Sequence, residues 1–255
     1  MAILREHVRH HNRILRIPDF IADSVLIFGW QEMDVALESV TTAGPRGIAR
    51  KLNTFLRHSD KIGLLKRKLR EERLVRAQEP LADEFKCETF EDVVKKFGAQ
   101  QVTVLDYFDS RAQIKHDMNT PIPSEYHNLF GTFIDIGCLE HLFDTAQCLE
   151  NCMRMVRIHG HFLLHTPVNG YFNHGIHVFN PDILAGAFKV NGFTVLSVQF
   201  SDEHGKDIAD PSTPTNVIMW LVARKDRTMG DFVSPQQGMW EETYSADLPP
   251  ENSTS

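Results

Sequence analysis

Three carboxylates stand at the ends of successive apolar runs. Asp106 closes Gln101-Val-Thr-Val-Leu, Asp117 follows Ala112-Gln-Ile-Lys-His116, and Asp135 ends Gly131-Thr-Phe-Ile. If these runs are strands of one parallel sheet, all three acids face the edge where such sheets hold ligands. A strand-end acid can accept two hydrogen bonds from a ribose diol, which suits Asp106. Asp117 can accept from an adenine amino group, with Met118 against the ring. Taken singly, each acid is as readily an N-cap or a turn residue. Gly29 ends another apolar run, Ser24-Val-Leu-Ile-Phe28, and a glycine there lets the backbone approach a ligand closely. Without a GxGxxG pattern, a plain turn explains it equally well. Histidines gather further on, at His141, His174 and His177, with Glu140 beside the first.

The elements that must position these residues alternate. The run 24–29 reads as a buried parallel strand. Residues 34–98 read as a helical insertion or lid, with Ile48, Leu52 and Phe55 at helical spacing and Lys and Arg crowded between positions 46 and 76. That charge is a solvated face or a basic cover over an anionic substrate. Strands follow at 101–106, 112–116 and 131–135. A helix then carries Leu142, Ala146, Leu149, Met153 and Val156 on one face. The run 160–165 is the next strand, Pro181 opens another helix at its first turn, and 193–198 and 216–223 are the last two strands. Residues 1–22 read as peripheral and 225–255 as a polar tail. The pattern predicts a single α/β domain over 1–255: a Rossmann-like, seven-stranded, mostly parallel sheet with helices on both faces and the insertion after the first strand.

Composition narrows the function classes. The chain has 255 residues, 42% hydrophobic and 24% charged, ordinary values for a globular domain. A net charge of −7 argues against general nucleic-acid binding, which needs a basic excess. Cys87, Cys138, Cys148 and Cys152 form no CxxC pair, which suggests reduced thiols rather than a disulfide framework or zinc site. No run of about 18 apolar residues occurs, and the N-terminus has no h-region. A cytoplasmic, unanchored protein with a small-molecule partner is expected; a homodimer is admitted but not required.

The densest pattern runs from Phe133-Ile-Asp135-Ile-Gly137-Cys-Leu-Glu140-His141-Leu-Phe-Asp144 through Met153-Arg-Met-Val-Arg-Ile-His-Gly160 to Thr166-Pro167. It resembles the methyltransferase-11-type small-molecule methyltransferases, which are class I S-adenosylmethionine-dependent enzymes. They carry "FD-x-I-x-x-G-x-LEH-[VL]-x-D", a helix ending "R-[VML]-[LV]-[KR]-x-GG" and a strand ending "TPN". The likeness continues in Asn173–Pro181, where a bacterial subgroup has "GHGFYQFSPE", and in His116–Pro123, where it has "HDLN-x-PLP". It is good over about 100 to 200 and weak before. The family's "VLDLGCGTG" is altered here: Ile27 replaces the acid, and Gln31 and Met33 replace two glycines, though the subgroup has a Gly-x-Gln version. His161 replaces the second glycine of "GG".

The resemblance implies S-adenosylmethionine as cofactor, held by Gly29, Gln31, Asp106, Asp117, Met118, Asp135 and Gly137. It implies methyl transfer to an oxygen, less readily a nitrogen, of a small polar or sugar-like acceptor. A hydroxyl acceptor needs a base near neutral pKa, for which His141, His174 and His177 are the candidates, with Glu140 orienting one of them. No metal is expected: relatives with "E-x-x-EH" and a later histidine bind magnesium, but Gly137 stands where the first Glu would be. Glu140, His141 and His177 are too few ligands for a hard cation. The rivals are a catalytically weak or inactive ligand- or partner-binding protein of the same fold, favoured by the altered glycine motif, and an NAD-dependent oxidoreductase, disfavoured by the missing GxGxxG.

Overall fold

The structure is a computed structural model and describes residues 2–4, 7–34 and 85–235. Most of the expected helical insertion, with its basic residues, and positions 236–255 of the tail lie outside the described residues. In chain order the strands are β1 (Ala2–Leu4), β2 (Ser24–Phe28), β3 (Glu32–Asp34), β4 (Gln101–Leu105), β5 (Phe130–Ile136), β6 (Val156–Asn169), β7 (Phe193–Asp202), β8 (Asp207–Ile208) and β9 (Val217–Lys225). The main sheet has seven strands in the order β4-β2-β5-β6-β9-β7-β8, and β1 pairs with β3 apart from it.

From β4 to β6 every pairing is parallel; from β6 to β8 every pairing is antiparallel. The expectation of a mostly parallel sheet therefore holds for one half. The other half has a physical cause: β7, β8 and β9 follow one another without a crossover helix, and only antiparallel strands can be joined so directly. The chain leaves β2, crosses to β4 on one side and returns to β5 on the other, so the strand order reverses at β2. Such a reversal favours ligand binding at the carboxyl end of β2, between its neighbours β4 and β5.

Side chains alternate between two cores, as a strand's period of two requires. Leu26, Phe133, Phe162, Leu164, Met219 and Leu221 point to one face; Val25, Ile27, Ile134, Leu163, Trp220 and Val222 point to the other. The first face is covered by the helices that bear Cys148, Leu149 and Met153, and Leu184, Ala187 and Phe188. The second is covered by those that bear Val8, Ile14 and Leu15, and Phe90, Val93 and Val94. Of these four helices, α1 (Val8–Leu15), α2 (Phe90–Lys96), α3 (Thr145–Met155) and α4 (Pro181–Val190), the last three start at side-chain caps, whereas α1 follows His7 without one. Thr89 accepts from the Asp92 N–H, Asp144 from Gln147, and Asn180 from Asp182 and Ile183 with Pro181 next to it.

Three expectations are corrected. Residues 112–116 do not form a strand; they touch β4 through one bridge, Ile114 to Leu105. The Gln113 side chain accepts the Val104 N–H at 2.7 Å, taking the place of a ladder carbonyl. The seventh strand is instead the short β8. Residues 1–22 are not peripheral, since α1 buries His10, His11, Ile14 and Leu15 against the sheet. The helix expected over Leu142–Val156 is α3 alone: Leu142 lies in the preceding turn, and Val156 already begins β6.

Candidate functional site

A cleft of about 450 Å³ opens at the carboxyl ends of β2 and β4, lined by Trp30, Glu32, Asp106, Phe108, Asp109 and Arg111. That size is within the range of small-molecule sites. Asp106 is held in place by backbone donors: Trp30 N–H at 3.0 Å on one oxygen, Phe108 and Asp109 N–H at 2.8 and 3.0 Å on the other. Burial would raise its pKa, but those three donors outweigh it and bring the carboxyl below its ordinary value. It is an anion fixed in direction at the mouth of the cleft. Arg111 lies over the Trp30 ring at 4.0 Å, pairs with Asp109 at 2.7 Å and reaches Glu32 at 3.2 Å. Its partnership holds Asp109 down at about 2.

The floor between β2 and β5 is closely filled. Gly29 has φ of +78°, and a Cβ there would stand 2.4 Å from the Cys138 sulfur, so glycine is required. The Cys138 thiol donates to the Phe28 carbonyl at 3.1 Å. Gln31 is buried, its amide donating to the Ile136 carbonyl at 3.3 Å while its oxygen finds no partner among the described residues. Asp135 is buried beneath the turn that carries Gly137, accepting the N–H groups of Cys138 and Leu139 at 2.8 and 3.2 Å. Burial, reinforced by nearby Glu140, pushes its pKa well up against those donors. Asp135 ties the turn together rather than facing the cleft. Gly137, with φ of +75°, donates to the His165 carbonyl at 2.8 Å and lets the chain leave β5 sharply.

The turn delivers Glu140 and His141. The Glu140 side chain is buried; one oxygen accepts the Thr166 hydroxyl at 3.0 Å, and the other lies 3.8 Å from His174 Nε2. Burial pushes the Glu140 carboxyl up to about 7, against the Thr166 bond. The His141 and His174 rings meet edge to face at 5.2 Å, and Tyr171 packs on His174 at 5.5 Å. Burial, and His174 beside it, lower the His141 pKa, which keeps that ring neutral near pH 7. The loop after β6 is fastened from below: Ile176 and His177 N–H both donate to the Glu140 carbonyl, at 2.7 and 3.1 Å. Gly175, with φ of +69°, permits this, since a Cβ there would crowd Glu140 at 3.0 Å.

Of the residues expected at the site, the structure brings Gly29, Gln31 and Asp106 together at the ends of β2 and β4, and Glu140, His141 and His174 at the ends of β5 and β6. Asp117 does not line the cleft; it forms a turn with Asn119, accepting its N–H and amide at 3.0 and 2.8 Å. Met118 is buried in the core rather than set against a ring site. His177 stacks on Phe179 at 5.8 Å and sits 3.3 Å from the Phe143 carbonyl, apart from the other two histidines. Sequence reasoning missed Trp30, Arg111 and Thr166. Trp30 directly after Gly29 was a usable signal, as was Thr166 at the end of an apolar run. Nothing local marked Arg111.

No protein-family model matches the chain, and no curated protein does. Solved structures resemble parts of it. One is the Burkholderia thailandensis 1,6-didemethyltoxoflavin N1-methyltransferase with bound 1,6-didemethyltoxoflavin and S-adenosylhomocysteine. It is 14% identical, with 53% of this chain and 66% of that one covered, at a TM-score of 0.39. A putative methyltransferase from Bacillus halodurans is 10% identical over 55% of this chain and 87% of its own, at a TM-score of 0.42. The [4+2]-cyclase SpnF is 11% identical over 55% and 72%, at a TM-score of 0.39. Among the described residues no helix is long and apolar enough to cross a membrane.

Proposed function

We propose that this protein transfers a methyl group from S-adenosylmethionine to an oxygen of a small polar acceptor. One observation carries the reading: at the reversal of strand order, a fixed carboxylate in a cleft, Asp106, and a histidine pair backed by a buried glutamate share the carboxyl edge of the sheet. The first suits a nucleoside and the second suits proton removal. The residues present fit the cofactor in part. Asp106 offers an acceptor to the ribose diol, Trp30 an aromatic surface in the cleft, and the buried Gln31 oxygen an unmatched acceptor beside Gly29 for the amino-acid end.

S-adenosylmethionine supplies an electrophilic methyl on a sulfonium, so the protein's task is placement and a base. His141, neutral near pH 7, accepts the proton of the acceptor hydroxyl as its oxygen takes the methyl. Glu140, positioned by Thr166, orients His174 beside it. Phe143 and Phe172, at 80% and 92% exposure, stand two residues from His141 and His174 in the chain and offer rings to the body of the acceptor. The decisive experiment is isothermal titration with S-adenosylhomocysteine, S-adenosylmethionine and NAD, followed by turnover assays with hydroxyl acceptors. Binding of the first two without NAD is expected; no binding at millimolar ligand overturns the reading.

A second reading, binding without turnover, is favoured by the Cys138 thiol filling the space beside Gly29 and by the three donors already on Asp106. S-adenosylhomocysteine binding with no methylation of any hydroxyl or amine acceptor would support it.

A further inference from the structure

We propose that Glu140, His141 and His174 form a binding site for a first-row transition metal ion such as Zn²⁺. Their candidate ligand atoms all lie within 4.8 Å of one another. One tetrahedral zinc with bonds near 2.0–2.1 Å separates its ligand atoms by about 3.3 Å. Closing the difference asks the ligand atoms to approach by up to about 1.5 Å, which the two exposed imidazoles can supply by side-chain rotation while Glu140 stays fixed.

The surroundings are those of a ligand set rather than of a chance meeting. Glu140 is buried and its Oε2 is taken by Thr166, which leaves Oε1, the oxygen nearest His174, directed at the imidazoles. An outer hydrogen bond of this kind is what aims a metal-binding carboxylate. Neither the His141 nor the His174 ring makes a hydrogen bond to another group among the described residues. The two segments that bear them are locked together through the backbone by the Ile176 and His177 bonds to the Glu140 carbonyl, closed over Gly175. His141 and His174 thus meet because the main chain brings them together.

Ligand chemistry selects the ion. Two imidazoles and one carboxylate suit zinc, cobalt, nickel, iron or manganese, whereas magnesium and calcium demand more oxygen donors. Three protein ligands leave coordination positions open on the solvent side. If the methyl-transfer reading is right, an acceptor hydroxyl bound at such a position would lose its proton to solvent more readily before its oxygen takes the methyl, and the imidazoles would serve as ligands instead of as the base. The metal site itself does not depend on that reading.

The test uses the full chain stripped with EDTA and titrated with CoCl₂, followed by its visible absorption, with ZnCl₂ as competitor. One ion per chain is expected, with the intense visible band of four- or five-coordinate cobalt, displaced by zinc and not by excess magnesium. His141→Ala and His174→Ala, both at exposed positions, should each weaken binding by about a hundredfold, at least what outer partners of metal ligands contribute. His159→Asn, exposed at the amino end of β6 and so at the opposite edge of the sheet from the cluster, should not. Glu140→Gln, checked for folding by circular dichroism, should weaken it similarly. No cobalt band, a band that survives both histidine substitutions, or displacement by magnesium would overturn the site. Titration of S-adenosylhomocysteine in EDTA separates the two proposals: nucleoside binding without a cobalt site sinks this one alone, and a cobalt site without nucleoside binding sinks only the methyltransferase reading.

Discussion

Asp106 offers about four acceptor positions and spends three on the N–H groups of Trp30, Phe108 and Asp109. Asp106 also lines the cleft, so a ribose hydroxyl that took its remaining position would bond to an anion that cannot turn away. Asp106→Ala should weaken S-adenosylhomocysteine binding by about 1.5–3 kcal/mol, the range for hydrogen bonds to a charged group. Isothermal titration measures it, and unchanged affinity in a folded variant would move the ribose elsewhere. Lys225 makes the opposite use of charge. It is buried at the end of β9 and donates to Asn128 Oδ1 and to the carbonyls of Met153 and Val156, at 2.9, 2.9 and 2.7 Å. Burial brings its pKa down to about 8, with Arg154 nearby helping. Lys225→Met keeps the volume but strands three acceptors, two where α3 passes into β6 and one on Asn128, and should cost about 2–4 kcal/mol in urea unfolding. Residue type and spacing made Asp106, Glu140, His141 and His174 legible in the sequence. Arg111 was not, because its role rests on a ring and two acids brought to it by folding.

The strands were legible where burial is complete. β2, β5 and β9 are near-continuous apolar runs because both of their faces are covered. The 112–116 segment pairs with β4 only at Gln113 and Ile114, where the Gln113 side chain takes the Val104 N–H from the ladder, and apolar patterning carries no trace of that. The helix at 8–15 was missed because its inward face is built partly of His10 and His11, which read as polar. Element contacts also steady the turn after Ile114. Asn151 on α3 is buried; its oxygen accepts the Ile122 N–H at 2.9 Å, and its amide donates to the carbonyls of Met118 and Thr120 at 3.2 and 2.8 Å. A helix thereby grips the 118–122 segment through one side chain. Asn151→Leu should leave those three backbone groups unmatched, lowering stability by about 2–4 kcal/mol and raising amide exchange over 118–122 ahead of the rest of the sheet. Uniform exchange across the domain would show that the segment is held by packing alone.

On the scale of the whole molecule, α1 closes one face of the sheet with imidazoles. His10 and His11 pack on Trp220 at 4.8 and 4.9 Å, and His165 of β6 lies 4.3 Å from the same ring. Both ring nitrogens of His11 and of His165 are buried without hydrogen-bond partners among the described residues. Burial first, then the neighbouring histidines, depress the pKa of His11 and His165 well below 6.5; burial also lowers His10, against the Gly205 carbonyl and Asp207. These rings are neutral in the native state and protonate near 6.5 when unfolded, so below that pH the unfolded chain binds more protons. Stability is therefore fully present above pH 6.5 and is lost as pH falls toward the folded values, by up to about 1.4 kcal/mol per pH unit for each such histidine. Glu140, raised to about 7, acts with the opposite sign, because its native form takes up a proton first as pH falls. The two effects separate by difference. His11→Phe fills the same apolar niche between Phe90 and Trp220 without a titrating group, and leaves Glu140 untouched. Urea unfolding from pH 8 to pH 5 should show the variant gaining on the wild type only below pH 6.5, with a difference that grows as pH falls. Parallel curves across that range would mean that α1 opens before the histidines are protonated, and that the imidazole layer is not what couples this face of the sheet to pH.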